Sequence, residues 1–149
     1  MLKLKDLDAT YGEGMVLRKV NLEALKGRVT CLVGRNGAGK TTTMRAIMGL
    51  IKTPSGDIEL DGKSIIKEPT YTRAKSGIGY VPQGREIFPQ LTVEENLLLG
   101  LEAVDGKGKI PDSIFETFPI LKEFKKKRRR PFRRTTTTTC YCKSSYSKS

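Results

Sequence analysis

An eight-residue segment, Gly34–Thr41, constrains the fold of this chain more than any other part of its sequence. It fits the pattern G-x-x-x-x-G-K-[ST], in which a glycine-rich loop joins a strand to a helix. The required context is present, because an apolar run at residues 29–33 precedes the segment and a helix-prone run, Met44–Leu50, follows it. Glycines let such a loop turn its backbone N–H groups towards phosphate without Cβ clashes. The segment therefore predicts a nucleotide site.

Each chemical group that such a site needs has a candidate in this segment. Lys40 is expected to neutralise the β- and γ-phosphates, and the Thr41 hydroxyl is expected to be a ligand of Mg²⁺. The helix that follows offers its first N–H groups and its positive dipole end to the same anion. The alternative is a glycine-rich turn with a chance lysine, which the flanking strand and helix disfavour.

The charge of the chain is concentrated in its last residues. The net charge is +12, but residues 1–124 carry 18 Lys/Arg against 16 Asp/Glu. Residues 125–149 carry 10 Lys/Arg and no acidic residue. The basic character therefore belongs to a tail and says little about the partners of residues 1–124.

Length and hydropathy favour a small soluble protein. A chain of 149 residues is expected to form one domain. No run approaches the roughly 20 apolar residues of a membrane span, and the N-terminus lacks a signal-peptide pattern, so a cytoplasmic protein is expected. Cys31, in the strand predicted before the loop, is expected to be a buried structural thiol. Cys140 and Cys142 form a lone C-x-C in a chain without histidine, which is too little for a metal site.

Alternation of apolar and polar residues, with turn residues between the runs, predicts the other elements. Strands are expected at residues 2–7, 16–25, 57–60, 63–66 and 77–81, and short helices at residues 69–76, 91–99 and 112–124. The second of these helices opens with a capping box formed by Thr92 and Glu95.

With these residues in place, residues 1–124 resemble the nucleotide-binding subunit of ABC transporters. Tyr11 stands where that family stacks an aromatic ring on adenine, and residues 34–42 correspond to its Walker A segment. Thr53–Gly62 corresponds to the hairpin after the first helix, and Gln83 to the Q-loop glutamine that ligands Mg²⁺ and senses the γ-phosphate. Taken alone, Tyr11 is equally well a surface aromatic in a turn, and Gln83 means little.

The resemblance implies an α/β fold of the P-loop NTPase class, with an antiparallel β-subdomain and an incomplete parallel core sheet. It implies ATP and Mg²⁺ as cofactors, with Thr41 and Gln83 on the metal, and an ATP hydrolase to whose catalysis Lys40 and Gln83 contribute. The nucleotide-binding residues that it implies are Tyr11, Gly34, Arg35, Asn36, Gly37, Ala38, Gly39, Lys40, Thr41, Thr42 and Gln83.

The residues of two segments narrow the resemblance to importers of branched-chain amino acids and urea. Gly34–Gly37 and Val81–Leu97 are typical of that group, and Gln83–Phe88 is most similar to the urea-type subunit. Residues 85–97 then correspond to the surface that docks on transmembrane permease subunits, the alternative being an ordinary amphipathic helix end. The resemblance also implies a second ATP-binding subunit and a place on the inner face of the cell membrane.

Several parts that this family needs for catalysis are missing from the sequence. After Gln83 there is no apolar strand ending in Asp-Glu, no LSGGQ signature and no histidine. The composition also changes abruptly at Lys125, where a basic run is followed by five consecutive threonines. The domain prediction is therefore a partial ABC ATPase domain at residues 1–124 and a basic, Thr-rich tail at residues 125–149.

The genetic code offers an explanation for this tail. Suppose that each tail codon holds the last base of one in-frame codon and the first two bases of the next. Translation in the shifted frame then gives the amino-acid sequence GGDLSGGQQQQLAIARAL for the segment up to Ser145. This text resembles the family's signature helix, in a form that again favours the urea type. We therefore expect a single-base insertion near the codons of Lys125–Lys127, which leaves a nucleotide-binding fragment without catalysis. The alternatives are a disordered basic tail and a nucleic-acid-binding arm, although no specific nucleic acid is expected as a partner.

Overall fold

A computed structural model describes residues 1–84, 87–104 and 109–126. The chain divides into two units, Met1–Arg73 and Ala74–Ser149. The predicted boundary at residues 124 and 125 stays a prediction, because most of the tail lies outside the described residues. No helix in those three ranges is both long and apolar enough to cross a bilayer.

The first unit is built on a four-stranded antiparallel sheet in the order β2-β1-β3-β4. Its strands are β1 (Leu2–Tyr11), β2 (Gly14–Ala24), β3 (Asp57–Leu60) and β4 (Lys63–Ser64). A turn at Gly12 and Glu13 joins β1 to β2, and Asp61-Gly62 joins β3 to β4. These strands and turns confirm the predicted antiparallel β-subdomain, with bounds that differ by a few residues.

An irregularity in β1 changes which residues face the core. Leu4 and Leu7 are both buried although they are three residues apart, because the register of β1 against β2 shifts between them. Asp6 lies within this shift with φ of 43°, and Lys19 on β2 has φ of 46°. Asn21 holds the distortion by accepting from the backbone N–H of Asp6 and donating to its carboxylate. A β-bulge thus restores the apolar face that strict alternation would have lost.

Beside this bulge, Asp8 of β1 connects β2 to the turn that precedes β3. Its carboxylate accepts a hydrogen bond from the Ser55 hydroxyl at 2.6 Å and from the backbone N–H of Lys19 at 2.7 Å. The Ser55 hydroxyl, and then the Lys19 N–H, hold the pKa of Asp8 below its ordinary value. Because the pKa is lower in the folded chain, the charged carboxylate stabilises the fold above the ordinary carboxylate range. That contribution is lost as the pH falls through the lowered pKa.

Replacing Ser55 by alanine is therefore expected to raise the pKa of Asp8, so that the acid loss of stability is smaller and is complete at a higher pH. The titration of the Asp8 carboxyl carbon, followed by NMR, measures this shift. Thr53→Ala, two residues away in the same turn, is the control and should leave the Asp8 titration unchanged. An identical Asp8 titration in Ser55→Ala and the wild type contradicts the assignment.

The first helix, α1 (Lys40–Ile47), is tied to the following chain by a buried arginine. Arg73, which is 2% exposed, lies on α2 (Thr70–Lys75) and burial lowers its pKa. Its guanidinium donates at 2.7–2.9 Å to four backbone carbonyls, those of Ala46, Ile47, Ile66 and Glu68. Two of these carbonyls end α1, where a cation opposes the negative end of the helix dipole.

Among its described residues, the second unit contains three short α-helices around a small apolar cluster. They are α3 (Val93–Leu98), α4 (Asp112–Thr117) and α5 (Pro119–Glu123), and a 3₁₀ helix (Leu99–Val104) extends α3. The predicted capping box is confirmed, since Thr92 Oγ1 accepts from the Glu95 N–H and a Glu95 carboxylate oxygen accepts from the Thr92 N–H. Val93, Leu97 and Leu121 form the buried centre of the cluster.

Three expectations are wrong. Residues 29–33 and 77–81 were predicted to be strands, but neither segment forms one. A strand needs a hydrogen-bonded neighbour, and the sheet of the described residues includes neither segment. For the same reason Cys31 is exposed rather than buried. The helix expected at residues 112–124 is broken at Phe118, because Pro119 disfavours a helical residue before it.

Candidate functional site

The loop between residue 34 and α1 has the backbone shape that its glycines were expected to allow. Gly37 and Gly39 adopt φ of 85° and 88°, in the left-handed region where other residues are strained. The Ala38 N–H donates to the Arg35 carbonyl at 3.1 Å and closes a tight turn between them. A Cβ on Gly37 would meet nothing within 4 Å, so the space beside this residue is open.

The Lys40 side chain folds back onto the backbone of this loop. Its Nζ atom donates to the carbonyl oxygens of Gly34 at 2.8 Å and of Arg35 at 2.7 Å. The ammonium group is therefore held beside the loop by the loop's own backbone, and the Lys40 residue as a whole is half-buried. A fixed cation beside a glycine-rich turn is suited to bind a phosphate group.

The N-terminal end of α1 strengthens the same preference for an anion. The helix begins at Lys40 with Gly39 as its N-cap, no side chain caps it, and its first turn contains no acidic residue. Thr43 donates from both its N–H and its hydroxyl to the Gly39 carbonyl, which fixes the helix against the loop. The first N–H groups of a helix have no acceptor within it. The end of α1 therefore offers backbone donors and a positive dipole to a phosphate.

The β1–β2 hairpin packs against this loop. A Cβ on Gly39 would approach Leu17 Cδ2 to 2.7 Å, so β2 packs directly against the loop where α1 begins. Leu17 itself is 4% exposed. Thr42 and Thr43, on the first turn of α1, are buried as well. The glycine at position 39 thus serves both the backbone conformation and the close packing of hairpin and loop.

Sequence reasoning predicted Tyr11 for the site but missed the residue that holds it. Tyr11 ends β1 at the hairpin tip, and 43% of its surface is exposed. Its hydroxyl accepts a hydrogen bond at 3.2 Å from the guanidinium of Arg45, which projects from α1. An arginine in a helix gives no signal of this contact in the sequence, because the partner lies 34 residues earlier.

The metal prediction fits the donors at the loop in part. Thr41 lies on the first turn of α1 beside Lys40, where a hydroxyl ligand would sit next to bound phosphate. In the described ranges no three His, Cys, Asp or Glu side chains come together as a metal cluster. Mg²⁺ is usually held by few protein groups together with substrate phosphates and water, so a neutral hydroxyl is compatible with an ion that arrives with a nucleotide.

The other predicted residues divide between the two units. Arg35, Asn36, Ala38 and Thr42 lie with the loop in the first unit. Gln83 is an exposed residue of the second unit, and its role at the nucleotide stays a prediction.

The predicted docking surface at residues 85–97 has an ordered core that the sequence did not reveal. Residues 85 and 86 lie outside the described residues. Beyond them, the buried Asn96 donates to the carbonyls of Phe88, Leu91 and Thr92 and accepts from the Phe88 N–H. This amide fixes the turn that precedes α3 and leaves the Phe88 ring half exposed.

Known proteins share both the sequence and the fold. The family described as ABC transporter matches residues 17–140, which include the start of the tail segment. The probable branched-chain amino acid transport ATP-binding protein LivF of Archaeoglobus fulgidus is 40% identical over 86% of this chain and 55% of its own length. BraG of Pseudomonas aeruginosa, a high-affinity branched-chain amino acid transport ATP-binding protein, is 36% identical over 86% of this chain and 56% of its own length. The chain thus spans about half the length of these relatives.

Solved structures share the fold of this chain. A structure of an ATP-binding subunit of an ABC transporter aligns with a TM-score of 0.74 at 27% identity, covering 99% of this chain and 62% of that one. A dimeric ATP-binding cassette bound to ADP and phosphate aligns with a TM-score of 0.82 at 22% identity, covering 97% and 68%. The second likeness bears on the fold alone.

Proposed function

The chain belongs to the ABC transporter family, and on that premise we propose that it is the nucleotide-binding part of an importer's ATP-binding subunit. The observation that carries the proposal is the loop at Gly34–Thr41, closed on Lys40 at the uncapped N-terminal end of α1. In the whole subunit, binding and hydrolysis of ATP would drive the alternating access of transmembrane permease subunits.

Each predicted residue has a part in this proposal. Lys40 and the backbone donors of the loop bind the β- and γ-phosphates, and Tyr11 stacks on the adenine from the hairpin tip. Thr41 would hold Mg²⁺, which supplies positive charge to the phosphates when it is bound, and the family resemblance assigns Gln83 to the same ion. Gln83 would also sense the γ-phosphate. The groups that activate the attacking water have no counterpart after Gln83 in this sequence.

We further propose that the sequence from Lys125 onward is an out-of-frame translation of the family's signature region. The support is the run of consecutive shifted codons that yields LSGGQ followed by the rest of a signature helix. The family match itself extends to residue 140, past the start of this segment. A genomic sequence that encodes these residues without a shifted LSGGQ text would overturn the frameshift.

Removing one base within the codons of Lys125–Lys127 is expected to restore ATP hydrolysis. Phosphoryl transfer depends on positioning and charge stabilisation, and the loss of one such group costs about a thousand-fold or more in rate. The printed chain should therefore show no turnover above background, while the frame-restored protein hydrolyses ATP in a phosphate-release assay. Lys40→Ala in the frame-restored protein is the control and should abolish the activity. Turnover by the printed chain that Lys40→Ala removes would contradict the proposal.

The solute and location are proposals of the same kind. The names of LivF and BraG support a branched-chain amino acid as the transported solute. The residues of Gln83–Phe88 are instead most similar to the urea-type subunit, which favours urea. Uptake of labelled leucine and labelled urea by cells carrying the frame-restored gene distinguishes the two solutes. Permease subunits that dock on residues 85–97, and a second ATP-binding subunit, would place the protein on the inner face of the cell membrane.

A further inference from the structure

We propose that Arg45 is a positioning residue that holds the Tyr11 ring for stacking on the base of a bound purine nucleotide. The inference rests on the proposed nucleotide-binding function and extends it to a residue outside the phosphate loop. It starts from the hydrogen bond of 3.2 Å between the Arg45 guanidinium and the Tyr11 hydroxyl.

The position of Tyr11 explains why its ring needs such a contact. The residue lies next to a two-residue turn whose Gly12 has φ of 58°, and nearly half of its surface is exposed. An exposed aromatic ring at a hairpin tip has several accessible rotamers, and a ligand that stacks on it must select one of them. A hydrogen bond at the far end of the ring selects a rotamer before the ligand arrives.

The backbone beside the ring is already fixed. The Thr10 N–H donates to the Lys52 carbonyl at 3.0 Å, which joins the end of β1 to the chain that follows α1. On the other strand, Leu17 packs under Gly39. The β1–β2 hairpin thus contacts the chain both just before and just after α1. The backbone of Tyr11 is therefore fixed, and its side-chain rotamer is what remains to be set.

Arg45 connects this side chain to the helix that begins the phosphate site. It lies five residues after Lys40 on α1, so one rigid element carries both the cation of the loop and the donor to Tyr11. The distance between the phosphate site and the ring is consequently set by a helix rather than by a flexible loop. Such an arrangement favours a ligand with a phosphate chain and an aromatic base over a phosphate chain alone.

The test compares two ligands, MgATP and magnesium tripolyphosphate, which has the phosphates but no base. Arg45→Met keeps an aliphatic stem and removes the donor, whereas Tyr11→Phe keeps the ring and removes the acceptor. Each substitution is expected to weaken MgATP binding about three- to ten-fold, the range of one hydrogen bond, and to leave tripolyphosphate binding unchanged. The double variant should be no weaker than either single one, because both remove the same contact.

Other outcomes overturn the inference in distinguishable ways. Equal losses for both ligands would assign Arg45 a structural role in α1, and additive losses would show that the two residues act separately. Unchanged MgATP binding in both single variants would show that the contact does not position the ring. Arg28→Ala, which removes one exposed positive charge before the loop, controls for net charge and should bind both ligands as the wild type does. If the folded wild type binds neither ligand, the proposed function itself fails, and this inference with it.

Discussion

Substitution of Gly56 by alanine is expected to unfold most of the first unit. Gly56 has φ of 88°, and an added Cβ would lie 2.4 Å from the Asp6 carbonyl oxygen and 2.6 Å from both the Lys5 carbonyl oxygen and Leu7 Cα. All three atoms are backbone of the bulged part of β1, so no side-chain rotation can relieve the clash. We expect a loss of more than about 4 kcal/mol in the free energy of unfolding, at the upper end for single substitutions.

Gly62→Ala is the matched control for this experiment. Gly62 has a similar φ of 83°, but a Cβ there would meet nothing within 4 Å. Only the cost of a left-handed alanine remains, which is about 1–2 kcal/mol. Urea unfolding followed by circular dichroism measures both variants. Equal losses in the two would show that the backbone conformation alone matters and that the bulge of β1 does not press on Gly56.

Substitution of Lys40 by alanine is expected to weaken the binding of MgATP by about ten- to a hundred-fold, as for the loss of a charge-assisted hydrogen bond to phosphate. The reason is twofold. The substitution removes the cation beside the loop, and it also releases the carbonyls of Gly34 and Arg35 that this cation holds. Titration of a fluorescent ATP analogue, with unlabelled MgATP as competitor, gives the affinity.

Lys26→Ala is the control for net charge in that titration. Lys26 is an exposed residue in the turn after β2, and it carries the same charge in the same unit. Because exposed charges are screened by salt over about 10 Å, its removal should change the affinity little at 0.1 M salt. A loss as large as that of Lys40→Ala would indicate a general attraction of a basic chain for polyanions rather than a specific loop.

The sequence predicted those parts of the fold whose determinants lie close together in the chain. The capping box needs only Thr92 and Glu95 and was found. A helix after the motif was also found, although it begins at Lys40 rather than at Met44. The bulge at Asp6 depends on Asn21, 15 residues away, and the contacts of Arg73 with the end of α1 span 26 and 27 residues, so both were missed. Contacts of that kind leave no periodic signal.

The expected strands at residues 29–33 and 77–81 show the opposite difficulty. Their composition is that of buried strands, but Val29 is 94% exposed and Val33 is 88% exposed. β-Propensity describes fitness for a sheet and requires a neighbouring strand that pairs with the segment. Among the described residues no strand does so. The loop at residues 34–41 follows from a local motif, whereas the contact of Arg45 with Tyr11 joins residues 34 positions apart and was missed.

We propose that residues 1–124 carry a nucleotide site at the loop of residues 34–41. The decisive experiment is isothermal titration of MgATP into the full chain, into residues 1–124 alone and into Lys40→Ala. We expect saturable binding with one site per chain, equal affinity without residues 125–149, and a large loss in Lys40→Ala. Binding that disappears with residues 125–149, or that Lys40→Ala leaves unchanged, would contradict it.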